Sequence, residues 1–275
     1  MRIATCNVNG IRAAARKGMG QWITQTHADV LLFQEVRAPE AIAAQLIGES
    51  GIAYQVFQQA SELKGRAGVA VAVRDGIEVG QVRIGLAAGL SAEENEPAVD
   101  TGRWVEVDLP ALDTTFISAY LHSGVATDEA KMAAKYRHLE RVTQRLTELM
   151  NRREYAHVLI AGDFNIVHTA LDIKNWKSNH NRTAGVLDTE IAYFEKWLTD
   201  LGYVDVQRML TPQVQGAYTW WSQRGKAFDN DAGWRIDYQL ADAGLAKRAV
   251  NFQIDRATEY AQRFSDHAPL VIEYN

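Results

Sequence analysis

The side chains able to do chemistry in this chain fall into a repeating pattern, an apolar segment that stops at an acid or an amide. Residues 157–165 show it most clearly. Val158, Leu159 and Ile160 form the continuous apolar run required of a strand covered on both faces. Gly162 leaves room, and Asp163 and Asn165 are delivered at the strand's end. One such acid by itself most simply caps a turn, but the pattern recurs. Residues 2–9 read as a strand leading to Asn7-Val8-Asn9-Gly10, 29–35 as a strand ending in Glu35, and 114–121 as a strand ending at Tyr120. Residues 233–241 carry Asp237, and the strand 268–274 is entered through Asp266 and His267.

Convergence of Glu35, Asp163, Asp237 and Asp266 on one rim would be costly. Two like charges 4 Å apart repel by roughly 4 kcal/mol at an effective dielectric of 20. Such a cluster needs protons, a cation or hydrogen-bonding partners. Carboxylate and amide oxygens without a cysteine cluster select a hard divalent ion, Mg²⁺ before Mn²⁺, over zinc, and such an ion typically serves phosphate. One of these acids would hold the tautomer of His267 and raise its basicity. The set suits phosphodiester hydrolysis. A metal and an imidazolium neutralise phosphoryl oxygens, a carboxylate orients or deprotonates water, and an amide supports the crowded transition state.

Helical periodicity is expected over 17–27, 39–48, 128–151 and 188–200, and further strands over 54–60, 68–74, 103–109, 217–222 and 250–256. In the longest helix Met132, Tyr136, Leu139, Val142, Leu146 and Leu149 form one apolar stripe, with Asp128 as its N-cap. The acidic stretch 91–100, with Glu93, Glu94 and Glu96, reads as a solvated loop. The polar loop 169–187 sets Lys174, Lys177 and Arg182 around Trp176, an arrangement that can grip a phosphate backbone and a base or simply be solvated. Trp220, Trp221 and Trp234 lie near strand ends and could line a slot for a flat or apolar group. Two strand-rich halves joined near the 128–151 helix predict an α/β fold of two sheets packed face to face, helices covering their outer faces.

The 275 residues show no Pro/Gly/Ser-rich linker, so one domain is expected over 1–275. A net charge of −5 does not suit a non-specific DNA coat protein, but it allows a metal-holding enzyme with a local basic rim. The single cysteine, Cys6, excludes an internal disulfide and reads as buried filler in a reducing compartment. The text opens directly on a strand and contains no long apolar run, so a cytoplasmic monomer without membrane attachment is expected.

Five segments occur in the order seen in one known family: Asn7-Val8-Asn9-Gly10, Leu32-Phe33-Gln34-Glu35, Gly162-Asp163-Phe164-Asn165, Gly233-Trp234-Arg235-Ile236-Asp237-Tyr238 and Ser265-Asp266-His267-Ala268-Pro269. Along its whole length the chain resembles the exonuclease III family of apurinic/apyrimidinic endonucleases, within the endonuclease/exonuclease/phosphatase superfamily. The resemblance implies a four-layer α/β sandwich, two packed mixed β-sheets flanked by helices. It also implies Mg²⁺-dependent hydrolysis of phosphodiesters in double-stranded DNA with abasic sites or blocked 3′ ends. By the same match Glu35 binds the metal with Asn7, Asn9 and Asp266 around it, and Asp163, Asn165 and His267 complete the metal-proximal set. Asp163 activates water, Asn165 steadies the transition state, His267 paired with Asp237 holds the phosphate, and Tyr120 contacts the scissile group. Trp220, Trp234 and Ile236 match positions lining the pocket for a base-free sugar; Lys174, Lys177 and Trp221 complete the expected substrate contacts.

This chain departs from the family pattern in two places. His122 stands where relatives commonly carry Pro, and Gly124-Val125-Ala126 lacks the arginine that some members insert into DNA. The balance of abasic-site incision, 3′-phosphatase and 3′→5′ exonuclease is therefore open at this stage. Two other functions share the superfamily: a phosphodiesterase acting on lipid or inositol head groups, and a catalytically silent nucleic-acid-binding regulator. The first calls for membrane-facing apolar or strongly cationic loops, which the sequence lacks. The second calls for lost metal ligands, whereas every matched ligand is present.

Overall fold

The computed structural model describes residues 1–91, 93–151, 154–211 and 213–275. Its strands are β1 (Arg2–Asn7), β2 (Val30–Gln34), β3 (Tyr54–Gln59), β4 (Val69–Arg74), β5 (Val82–Ile84), β6 (Trp104–Leu109), β7 (Thr114–Tyr120), β8 (His157–Asp163), β9 (Tyr203–Asp205), β10 (Asp237–Asp242), β11 (Ala249–Ile254) and β12 (Leu270–Tyr274). Its helices are α1 (Ile11–Arg16), α2 (Met19–Thr26), α3 (Glu40–Gly48), α4 (Glu129–Asn151), α5 (Trp176–Asn179), α6 (Asp188–Thr199), α7 (Val206–Leu210) and α8 (Ala243–Ala246). One six-stranded sheet runs β11-β12-β1-β2-β4-β3 and the other β5-β6-β7-β8-β10-β9. Each is mixed: β1–β2 and β7–β8 are parallel pairs among antiparallel neighbours.

Three apolar layers follow from the strand patterns. Between the sheets, Ile3, Val30, Leu32 and Val71 of the first meet Val105, Phe116 and Leu159 of the second, all fully buried. Burial of each such side chain stabilises the fold by about 1.5–3 kcal/mol. The outer face of the second sheet is covered by α4 and α6 through Leu139, Val142, Phe194 and Trp197, and that of the first by α1, α2 and α3 through Ile11, Ile23 and Ile47. The layers are thus helix, sheet, sheet, helix. Asp128 caps α4, its Oδ1 accepting from the Lys131 N–H at 3.1 Å.

Polar side chains cross the interface between the sheets as well. Gln34 Nε2 donates to Ser118 Oγ at 3.1 Å, and Ser118 Oγ donates to the Phe33 carbonyl at 3.1 Å. A buried donor or acceptor left unpaired costs about 1–3 kcal/mol. These bonds therefore specify how the ends of β2 and β7 meet.

Several expectations are corrected. The sheets do not divide at α4: the chain leaves the first sheet after β4, builds the second from β5 to β10, and returns with β11 and β12. Helix α4 instead makes the crossover between parallel β7 and β8, a connection that needs a helix-length segment. The helix expected over 17–27 is α2, Met19–Thr26, and a short helix not anticipated, α1, precedes it, the two separated where Gly18 takes φ +102°. Residues 217–222 form no regular strand; only Trp220 pairs there, by single bridges to Trp234 and His267, and the strand expected from 233 begins at Asp237. The acidic stretch is not simply solvated. Glu96 accepts from Gln59 Nε2 at 2.6 Å and from the Leu86 N–H at 3.0 Å, and Asp100 is buried against Arg141.

Candidate active site

Strand register decides which acids meet. Tyr120 of β7, Asp163 of β8 and Asp237 of β10 stand abreast in the second sheet, because Tyr120 pairs with Asp163 and Asp163 with Asp237. In the first sheet Asn7 pairs with Gln34, which puts Glu35 beside the end of β1. Asn7 joins the two rims: its Nδ2 donates to Glu35 Oε1 and to Asp163 Oδ2, both at 2.9 Å, and its Oδ1 accepts from the Asn9 N–H at 3.0 Å. Asn9 Nδ2 donates to Asp266 Oδ1 at 2.8 Å, so a chain of amides separates and orients the carboxylates.

Left-handed backbone conformations at three of these turns support this layout. Asn9, Glu35 and Asn165 have φ of 45°, 50° and 50°, in the left-handed region that costs a non-glycine residue about 1–2 kcal/mol. The turn after β8 is closed by the Asn165 N–H, which donates to Asp163 Oδ1 at 3.0 Å, and Asn165 Nδ2 donates to the Leu121 carbonyl at 3.0 Å.

His267 lies at the centre. Its Nδ1 is 2.8 Å from Asp237 Oδ2, and its Nε2 points toward Asp163 Oδ2 at 3.8 Å. Burial disfavours the imidazolium, but the Asp237 carboxylate outweighs that and, with Asp163 and Asp266, pushes His267 up to about 10. Burial pushes the Asp163 carboxyl up to about 7, opposed by the attraction of His267 and reinforced by the charge of Asp237. Asp266 is held below the usual carboxylate range: burial raises it, but His267 and the Asn9 amide more than offset the rise. For Tyr120, burial first and then the charges of Glu35 and Asp163 keep the phenol neutral, although the Arg103 guanidinium lies 4.7 Å from its ring centroid. In metal-free protein the His267 imidazole is expected to titrate far above 6.5, and Asp237→Asn to bring it back toward that ordinary value, read by proton NMR of the ring.

Ligating atoms of Asp163, Asp237 and His267 lie within 4.8 Å of one another, and Glu35 and Asp266 face the same cleft. Asp237 Oδ1 is buried without a hydrogen-bond partner, while the Arg37 guanidinium rests on Glu35. The Glu35 and Asp266 carboxylates, which open on the cleft beside Asp163 and Asn9, are hard oxygens that fit a hard divalent cation.

The cleft encloses about 570 Å³. Its floor holds Asn9, Glu35, Tyr120, Asp163, Asn165, Asp266 and His267, and one wall is Trp220, Trp234 and Ile236. The two indoles meet edge to face at 5.4 Å, and Trp220 Nε1 donates to Asp266 Oδ2 at 3.3 Å. Asn7 and Asp237 are fully buried and reach the cleft only through their partners.

Three expected substrate contacts fall elsewhere. Trp221 is buried in a separate cluster with Tyr218 and Phe228, its Nε1 donating to Asp231, because successive side chains of an extended segment point to opposite sides and Trp220 is the one that faces the cleft. Lys174 and Lys177 are exposed and line no part of the cleft; α5 carries Lys177 on its solvent side, whereas Arg182 of the same loop does line it.

Other residues at the site were not anticipated. Lys135 and Glu190, both fully buried, pair at 2.6 Å, and Lys135 Nζ donates to the Asn165 carbonyl at 2.9 Å. The signal was in the helices: Lys135 occupies the stripe position between Met132 and Leu139, and Glu190 shares a face with Phe194 and Trp197. A charge at an apolar position on each of two neighbouring helices is the mark of a buried pair.

The endonuclease/exonuclease/phosphatase family model matches residues 4–267. The chain belongs to this family. It is 30% identical over 284 residues to an exodeoxyribonuclease of Bacillus subtilis, covering 100% of both chains. Among solved structures, the AP endonuclease of Archaeoglobus fulgidus superposes with a TM-score of 0.81 at 28% identity, covering 100% of this chain and 99% of that one. A 3′ phosphatase from Neisseria bound to a product DNA hairpin does so at 0.82 and 26% identity, with 100% and 99% coverage. Within the family the chain stands with the exonuclease III and AP endonuclease branch, and it is a hydrolase of the DNA-repair nuclease type. Among the described residues no helix is long and apolar enough to cross a membrane.

Proposed function

We propose that the protein is a magnesium-dependent nuclease that cuts the phosphodiester at abasic sites in double-stranded DNA and removes blocking groups from DNA 3′ ends. The observation that carries this reading is the Asp237–His267–Asp163 array on the floor of a cleft walled by Trp220 and Trp234. Asp163 takes the proton of the attacking water. His267, kept protonated by Asp237, neutralises a phosphoryl oxygen, and Asn165 and Tyr120 position the same group. Glu35 and Asp266 would hold Mg²⁺, or Mn²⁺ in its place, with Asn7 and Asn9 fixing their orientation. When bound, the cation supplies charge neutralisation at the phosphoryl group.

The test is cleavage of three labelled duplexes, carrying an abasic-site analogue, a 3′-phosphate or a plain recessed 3′ end. EDTA should abolish cleavage and Mg²⁺ or Mn²⁺ restore it. Full activity in chelator, or rescue by zinc alone, would overturn the metal assignment, and failure on all three duplexes the substrate assignment.

The indole wall accounts for damage selection. A sugar without a base can enter the slot beside Ile236 once flipped from the helix, whereas a normal nucleotide is bulkier and costs a few kcal/mol, roughly, to unstack. Trp234→Ala is therefore expected to impair abasic-site incision more than 3′-phosphate removal, measured as two rates on folded protein. Equal losses would reduce Trp234 to scaffold.

A further inference from the structure

A second group of ligating side chains lies outside the cleft. Asp100 ends the acidic segment, His122 follows β7 two residues beyond Tyr120, and His138 sits inside α4. His122 Nε2 is 2.6 Å from Asp100 Oδ1, and His138 Nδ1 is 3.7 Å from the same oxygen. The two rings meet edge to face at 5.0 Å. One potential ligand atom from each of the three residues lies within 4.8 Å of the others.

His138 has no ordinary explanation there. It is fully buried, and neither ring nitrogen has a hydrogen-bond partner. A buried imidazole whose donor and acceptor both lack a partner is destabilising, so something must fill that role. The 3.7 Å to Asp100 is too long for a hydrogen bond; two ligands held at about 2.0–2.1 Å by one tetrahedral ion stand roughly 3.3–3.4 Å apart, so an ion would draw His138 in and spread the 2.6 Å His122–Asp100 hydrogen bond. Arg141 Nη1 holds the other oxygen, Asp100 Oδ2, at 2.9 Å, leaving Oδ1 turned to the rings.

We propose that Asp100, His122 and His138 form a second metal site, selective for a borderline divalent cation of the zinc type and distinct from the hydrolytic centre. Two imidazoles and one carboxylate favour zinc or cobalt over Mg²⁺, which takes oxygen ligands almost exclusively. Arg103, Lys135 and Arg141 place positive charge around the pair, against which Asp100 supplies the anionic ligand. Glu96, 3.6 Å from Arg141, offsets part of that positive charge. His122 is the most exposed of the three, so the ion enters from its side and a water completes the tetrahedron there. The bound ion ties the acidic segment, the turn after β7 and α4 together, beside the Arg103–Tyr120 contact.

The test is a zinc titration of chelator-stripped protein in excess Mg²⁺, which occupies the oxygen-rich centre. The parent should bind one equivalent of zinc, gain thermal stability from it, and give ligand-field bands with Co²⁺. His122→Asn and His138→Phe should each weaken zinc binding on the order of 10²-fold and lose the stabilisation, while Asp163→Asn should keep both. His138→Phe refills the buried space without ligating atoms. If it does not fold, as judged by circular dichroism without zinc, His122→Asn decides. No zinc uptake by the parent in excess Mg²⁺, or equal uptake by parent and histidine variants, overturns the site.

Discussion

Asp163→Asn is expected to lower turnover about 10²–10⁴-fold, the contribution of a positioned general base, while the protein still folds. The substitution keeps the size of the side chain, and its oxygen can still accept the Asn165 N–H. Its new amide group faces the Asn7 amide, which now donates to Asp163 Oδ2, so one donor meets another at a cost of about 1–3 kcal/mol. Removal of a charge buried beside Asp237 offsets part of that. Single-turnover cleavage of the abasic duplex at saturating Mg²⁺ measures the effect; near-normal turnover would mean that Asp163 only caps the turn after β8. His267→Asn should be comparably damaging, and the double variant less than additive if the two act as one unit.

The same residue gives a pH signature with a definite sign. The folded-state value of Asp163 is raised from 3.8 to about 7, so the carboxyl contributes stability below 3.8 that is lost as pH rises through 7. His267, raised from 6.5 to about 10, contributes stability that is full below 6.5 and lost as pH rises through 10. Metal-free parent should therefore lose stability from these groups as pH rises, and Asp163→Asn should remove the acidic part of that slope. Denaturant unfolding between pH 4 and 7 compares the two.

Gly162→Ala is expected to be the most destabilising of the small substitutions, by on the order of 4 kcal/mol, summing backbone strain and overpacking. Gly162 pairs with Ala119 in the β7–β8 register and has φ +146°. A Cβ there would stand 1.9 Å from the Ala119 carbonyl oxygen and 2.9 Å from its carbon, atoms that cannot move without displacing β7. The next pair in the register is Tyr120 with Asp163, so activity should fall together with the unfolding midpoint. Gly48→Ala, at the end of α3 with nothing within 4 Å of the new methyl, is the control and should be neutral or slightly stabilising. A midpoint for Gly162→Ala matching that of the control would show that β7 and β8 can separate at no cost.

The sequence by itself determined the local units and the chemistry at their ends. The apolar run of β8, the amides after β1, Glu35 after β2 and the Ser265-Asp266-His267 entry to β12 were legible because burial demands a continuous or periodic apolar text, and an acid breaks it conspicuously. The stripe and cap of α4 were legible for the same reason. Only the tertiary structure decided which ends are neighbours. The alternation of side chains along a strand specifies its faces but not its partner, so nothing in residues 249–274 announced that β11 and β12 rejoin the first sheet, or that Tyr120, Asp163 and Asp237 stand in one row. The short strands β5 and β9 were too brief to carry a period. Trp220 and Trp221 are adjacent in sequence and face opposite sides, as neighbours along an extended segment do, but only the fold decides that Trp220's side is the cleft and Trp221's the core. Lys135 with Glu190, Arg37 with Glu35, and Asp100 with His122 and His138 are pairings between charged or polar groups, most of them distant along the chain. Residue type shows only that such groups need partners; which partner each one meets depends on how helices and loops pack in three dimensions.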